Sequence, residues 1–288
     1  MTTLAPFELH RAGSVAEATE LLGEYGDEAV PYCGGTELLL LMKLGFAVYG
    51  HLVDIKPIGE LSGIDLRDGV LRIGAAVTHR EIERSPVVTA GWPGLATMER
   101  GVANVRVRTT GTLGGNLAFA DPHSDPAAFL LASDSQLVLG RGEERRRLRF
   151  AEFVLGAYTT ALEPGELVVA IEVPPLPAGS GMAHLRFAFH ERPAVTVSCL
   201  ARVVDGRIAE VRIAVGSVGV TPVRVPDGEA MLTDQDADLD PVALAAAGRA
   251  AAEASDPVAD PNGSADYKRH LVEVLVGRAV RAAVADAA

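Results

Sequence analysis

Two short segments of this 288-residue chain place paired glycines where the backbone could grip an anion: PYCGGTELLL, residues 31–40, and TTGTLGGN, residues 109–116. Without Cβ atoms, consecutive amides can turn toward one phosphate and form a nest whose donors belong to the main chain. Either segment alone reads as a tight turn, whereas two together could hold a pyrophosphate. Main-chain donors would also reconcile a doubly charged ligand with a formal net charge of −12. Asp121, Pro122, His123, Ser124 and Asp125 alternate potential metal ligands, but Pro122 and Pro126 suit a turn and a helix N-cap, and the cap is the preferred reading.

Other familiar chemistry is missing. There is no GxGxxG, and none of the three lysines (Lys43, Lys56, Lys268) follows a glycine as a phosphate-binding GK[ST] loop requires. No GxSxG nucleophile elbow occurs. The two cysteines, Cys33 and Cys199, are too few for a disulfide framework or for a cysteine-ligated iron–sulfur cluster. Such clusters, if used, belong to another chain. The acidic balance opposes nucleic acid and anionic membranes as partners. The run Arg145, Arg146, Arg147, Arg149 reads as a solvated hairpin and not as a phosphate patch. His51, His79 and His270 carry no assigned role.

The elements that must position these segments are mixed. Ser14 and Glu17 form a capping-box pattern ahead of apolar Val15, Ala18, Leu21 and Leu22, and Gly26 ends that helix. A short strand, the first glycine pair, a helix-like stretch at residues 36–44 and the strand HLVDI follow. Residues 64–76 alternate around the turn Arg67, Asp68, Gly69, and Thr78 with Glu81 caps another helix. A helix over residues 93–103 leads into the second glycine pair, and strands are expected at 136–139, 148–150 and 167–173. Prolines 174, 175 and 177 mark a boundary. Beyond it come a strand meander over 184–218 and two alanine-rich helices. No run of about 18 apolar residues appears, and the N-terminus lacks the pattern of a secretory leader, so a cytoplasmic protein without a membrane span is expected.

CGGTELLLLMKLG and GTLGGNLAFADPHSDP, residues 33–45 and 111–126, resemble the FAD-binding (medium) subunit of the molybdenum hydroxylases, the xanthine dehydrogenase and aerobic carbon monoxide dehydrogenase group. The likeness extends to residues 158–174, 211–224 and 266–280, and so spans nearly the whole chain. It implies an α+β protein: a two-subdomain FAD-binding domain of the vanillyl-alcohol-oxidase (PCMH) type over residues 1–57 and 58–176, then an α+β domain of the carbon monoxide dehydrogenase flavoprotein type over 177–288. It implies that FAD is held by Tyr32, Cys33, Gly34, Gly35, Thr36, Glu37 and Leu38, and by Gly111, Thr112, Leu113, Gly114, Gly115 and Asn116. Asp125 would accept hydrogen bonds from the cofactor, and Val102, Ala103 and Leu162 would pack against it. Within HLRFAFHERP, residues 184–193, relatives carry a cation near the flavin; Arg186 is assigned that place, with His190 and Arg192 as the other available groups.

The resemblance further implies an oxidoreductase subunit that does not itself transform the organic substrate. Its partners would be a molybdenum-cofactor large subunit and a [2Fe–2S] small subunit, in a heterotrimer that dimerises, and FAD would pass electrons from the clusters to an external acceptor. The alternative is a self-sufficient FAD-dependent oxidase or dehydrogenase, for which His190 or Glu191 would supply the proton acceptor. A third reading, a scaffold that has lost FAD, conflicts with the intact glycines, Asn116 and Asp125.

Overall fold

The computed structural model describes residues 4–287. The first unit runs β1 (Glu8–Arg11), α1 (Val15–Tyr25), β2 (Ala29–Tyr32), α2 (Leu38–Leu44) and β3 (His51–Asp54). Its strands form a parallel sheet in the order β1-β3-β2, with Glu8 and Ala29 both opposite His51. Parallel neighbours need crossovers, which α1 and α2 supply. Ser14 caps α1 by accepting from the Glu17 amide, and Gly26 follows its last turn. The Glu17 carboxylate, however, accepts from the Gly13 amide, one residue upstream of the expected box.

β4 (Ile64–Arg67) and β5 (Val70–Gly74) are followed by six short helices: α3 (His79–Arg84), α4 (Pro86–Gly91), α5 (Pro93–Gly101), α6 (Val105–Thr110), α7 (Leu113–Phe119) and α8 (Asp125–Ala132). Then come β6 (Gln136–Arg141), β7 (Glu144–Arg149), β8 (Val154–Gly156), β9 (Thr159–Thr160) and β10 (Leu167–Val173). β4, β5, β10, β6 and β7, in that order, make an antiparallel sheet. β10 lies at its centre with both faces covered, which is why its sequence LVVAIEV is apolar but for the half-buried Glu172 and does not alternate. α3 carries the full Thr78–Glu81 capping box.

The β6–β7 hairpin bears the arginine run. Each arginine meets a carboxylate: Arg145 with Glu60, Arg146 with Glu166, Arg147 with Glu172 and Arg149 with Glu152, at 2.5–2.8 Å. Arg147 thereby reaches β10, Arg145 and Arg146 reach the segments beside the sheet, Arg149 pairs within its own turn, and each of the four charges is matched.

The last unit is an antiparallel sheet, β11 (Ser180–Phe187), β12 (Val195–Val204), β13 (Arg207–Gly216) and β14 (Val223–Arg224), backed by α9 (Pro226–Leu232), α10 (Pro241–Ala254) and α11 (Ala265–Ala287). It has its own core, in which Val197, Ile213, Val272, Val276 and Val280 are fully buried. The first two sheets share another core around Phe129, Phe150 and Phe153. Each such side chain contributes about 1.5–3 kcal/mol on leaving water. Met182 and Leu200 of the last unit reach into that shared core. Among the described residues no helix is long and apolar enough to cross a membrane.

Candidate functional site

A cavity of about 480 Å³ opens where the three units meet, within the size range of cofactor sites. One wall is the turn between β2 and α2, where Gly35 has φ +69°. A Cβ at Gly35 would meet the Tyr32 ring at 2.5 Å, and one at Gly34 would meet Gly111 Cα at 2.8 Å. The turn therefore presses directly on the segment leading into α7. Among the described residues no protein group accepts from the amides of Gly35, Thr36 or Glu37. This is the free set of donors that an anion nest requires.

The opposite wall differs from expectation. Gly114 and Gly115 lie in the first turn of α7, not in a loop, with Thr112 as N-cap. Their amides are already bonded: Leu113 to the Val77 carbonyl at 3.1 Å, Gly114 to the Ala75 carbonyl at 3.0 Å, and Gly115 to Thr112 Oγ1 at 3.1 Å. The second glycine pair is thus no nest. A Cβ on Gly114 would lie 2.8 Å from Ala75 Cα, so the residue is glycine because the helix start rests on the backbone just after β5.

Most of the expected residues line the cavity: Cys33, Gly34, Gly35, Thr36, Glu37, Leu38, Val102, Ala103, Gly111, Thr112, Gly114, Gly115, Asn116, Asp125 and Leu162. Three do not. The Tyr32 ring packs against Gly35 beneath the Lys56 ammonium, which is 3.8 Å from its centroid, and is not itself part of the lining. Leu113 is buried in the core. Arg186 stands behind Asp125, donating to the carbonyls of Gly101 and Glu191. Ala103 holds φ +41°, sparsely populated backbone for a residue with a Cβ.

Asn116 Oδ1 accepts from Ser124 Oγ at 2.7 Å, and among the described residues nothing accepts from its Nδ2. Asp125, almost fully buried, brings Oδ1 to 2.9 Å from Arg186 Nε and 3.7 Å from His184 Nε2. The alignment is poor, and all three atoms are left without a hydrogen bond. Of the three residues only Asp125 lines the cavity, so its carboxylate is the group a polar ligand could meet.

Sequence reasoning missed several lining residues. His79, in the first turn of α3, is buried and 2.6 Å from Glu99 of α5; no local pattern joins residues 20 apart. Arg192, offered by the sequence only as an alternative to Arg186, is the cation of that segment that lines the cavity, and it bridges Glu37 at 3.0 Å and Asp121 at 3.1 Å, drawing both walls together. Asp121, His123 and Ser124 form part of the wall as well as a turn. Glu191 is there too, but its carboxylate accepts from Asn104, while His190 is exposed and does not line the cavity. Burial pushes the Cys33 thiol upward against smaller opposing pulls from Thr112 and Lys56. This keeps Cys33 a neutral wall residue.

The chain is similar to proteins of a known family along nearly its whole length. The family described as the FAD binding domain in molybdopterin dehydrogenase matches residues 5–176, and the CO dehydrogenase flavoprotein C-terminal domain matches residues 188–283. The carbon monoxide dehydrogenase medium chain of Hydrogenophaga pseudoflava is 36% identical over 279 residues, covering 96% of each chain. A putative xanthine dehydrogenase FAD-binding subunit of Escherichia coli is 30% identical over 283 residues, again covering 96% of each. A solved carbon monoxide dehydrogenase from H. pseudoflava, lacking the Mo-pyranopterin moiety of the molybdenum cofactor, contains a chain that superposes with a TM-score of 0.95, covering 99% of this chain and 100% of that one.

Proposed function

This chain belongs to the FAD-binding medium subunits of the molybdenum hydroxylases, and we propose that it is their electron-transfer module, carrying electrons from iron–sulfur clusters of a partner subunit through FAD to an external acceptor. FAD is its cofactor, and the bound flavin supplies the redox chemistry. The protein's part is to bind, orient and shield it. In this reading the free amides of residues 35–37 take the pyrophosphate. Asn116 Nδ2 and Asp125 meet polar groups of the cofactor, while Val102, Ala103 and Leu162 give apolar contact. Gly111, Thr112, Gly114 and Gly115 keep α7 close enough to complete the wall. Arg186 acts through Asp125, behind the wall.

The observation that carries this reading is one cavity combining unbonded main-chain amides with the orphaned polar atoms at Asp125. The chain offers no cluster ligands of its own: burial pushes the thiols of both Cys33 and Cys199 upward, and one lies in the cavity wall, the other in the last unit's core. The clusters and the substrate-transforming centre are therefore assigned to other chains, a [2Fe–2S] small subunit and a molybdenum-cofactor large subunit. A self-sufficient oxidase would need a proton acceptor at the flavin; His190 lies outside the cavity, and Glu191 lines it with one carboxylate oxygen accepting from Asn104.

The test is a visible spectrum and intact mass of the protein purified from its host without added cofactor. Non-covalent FAD arriving with an iron–sulfur chain and a molybdenum chain is the expected result. A flavin-loaded chain without partners that turns over an organic substrate would overturn the electron-transfer assignment.

A further inference from the structure

Away from the cavity, two imidazoles and a carboxylate converge on one face of the parallel sheet. Glu8 and His10 are alternate residues of β1 and so point the same way, and the parallel register sets Glu8 beside His51 of β3. His10 Nε2 and His51 Nδ1 share a hydrogen bond at 3.0 Å, whose proton a bound cation would replace. Glu8 Oε2 lies 4.0 Å from the first and 3.9 Å from the second. The rings are held from the side by Tyr25, at the end of α1, which stacks on His51 with centroids 3.8 Å apart and on His10 at 5.0 Å. The histidine side chains are only 14% and 20% exposed, whereas that of Glu8 is 68% exposed. Two largely buried nitrogens thus stand beside an exposed carboxylate.

We propose that Glu8, His10 and His51 form a binding site for a divalent transition cation of the zinc type, separate from the FAD cavity. Two nitrogens on a tetrahedral zinc stand roughly 3.3 Å apart, given Zn–N bonds of about 2.0–2.1 Å; the observed 3.0 Å is close to that bite. The carboxylate closes the set by swinging inward by under about 1 Å, which its exposure permits. Imidazole donors favour zinc and its neighbours, whereas magnesium and calcium take all-oxygen sets. Three protein ligands leave a position open to solvent. The cation's effect is to clasp the edge strand β1 to the central strand β3, joining residues 41 apart in sequence, so that it stabilises the fold by mass action.

The experiment uses the full FAD-bound chain, stripped with a chelator, desalted, and titrated with Zn²⁺ by calorimetry and with Co²⁺ by its visible bands. The wild type takes up one equivalent at this site and its melting temperature rises with zinc. His10→Gln and His51→Gln each remove a ligand and weaken that binding by more than the roughly 10–100-fold that loss of a ligand's orienting partner costs, and remove the zinc-dependent rise while the flavin spectrum stays unchanged. Should either histidine variant fail to fold, Glu8→Gln, at an exposed carboxylate, weakens binding at least about tenfold. No uptake by the wild type, or wild-type uptake by the folded variants, overturns the proposal.

Discussion

Gly34 and Gly111 are packed backbone against backbone: a Cβ built on Gly34 would lie 2.8 Å from Gly111 Cα and nearer still to the Thr110 carbonyl oxygen. Neither neighbour is a flexible side chain that can swing away, so the separation of the two cavity walls is set by main chain. On this contact depends where the free amides of the β2–α2 turn stand relative to Asn116 and Asp125.

Gly34→Val should therefore force the walls apart. Overpacking of this kind costs about 1–3 kcal/mol, and the larger effect is on the cofactor: the purified variant should carry little FAD, read as the ratio of flavin to protein absorbance. Gly115→Val should also lose FAD, by displacing the Thr112 side chain that caps α7, since the new Cβ would sit 2.9 Å from Thr112 Oγ1. Stoichiometric flavin in both variants would remove these glycines from the site.

How far the sequence could be read follows from the range of each interaction. The Thr78–Glu81 cap and the mainly apolar β10 are local patterns and form where expected, and the arginine run does lie on a hairpin, but in a strand that spans Glu144–Arg149 and not residues 148–150, because pairing with β6 extends it across the arginines. The start of α7 was hidden because glycine is a poor helix former, and LGGN looks like a turn until Thr112 is seen to cap it. The amides of Leu113, Gly114 and Gly115 are engaged by Val77, Ala75 and Thr112, and only the fold reveals the first two partners. The same holds for His79 with Glu99, and for Arg192, which reaches Glu37 across 155 positions. Glu8 and His51 meet only because parallel strands without local connection pair in this register.

Asp125→Ala should weaken FAD binding without abolishing it. The substitution removes an acceptor from the wall and leaves Arg186 Nε, 2.9 Å away, facing an apolar methyl. Hydrogen bonds to charged groups contribute about 1.5–3 kcal/mol, which corresponds to a rise in Kd of tenfold to about a hundredfold. Fluorescence of flavin released on dilution measures it, and an unchanged Kd would exclude Asp125 as a cofactor ligand.

The hairpin pairs predict an acid limb to stability. The Arg146 hydrogen bond, the largest influence, holds the Glu166 carboxyl below its usual range against the opposing effect of burial. A depressed carboxyl contributes stability above its unfolded value, near pH 4.5, and loses it as pH falls through the folded one. Arg146→Ala should cost roughly 0.5–1 kcal/mol at neutral pH, the upper range for a partly exposed pair. The difference in melting temperature from wild type should be full at pH 7 and shrink below about pH 4.5. A difference that does not change with pH would mean that Arg146 acts through packing alone.

The two cysteines should respond differently to alkylation and to alkali. Cys199 is fully buried in the last unit's core, and burial pushes its thiol far up. It should resist iodoacetamide in the native chain whether or not FAD is bound. Cys33 is half-buried in the cavity wall with its thiol raised as well, so it should label slowly in the FAD-bound chain and faster once flavin is removed. Because the Cys199 thiol stays protonated in the folded chain while the unfolded one ionises near pH 8.5–9, stability should decline as pH rises above that value. Cys199→Ala, which leaves a small void but no ionisable group, should melt lower at pH 7 and show a shallower decline between about pH 8.5 and 10. Parallel alkaline slopes for the two proteins would show that another group sets the limb.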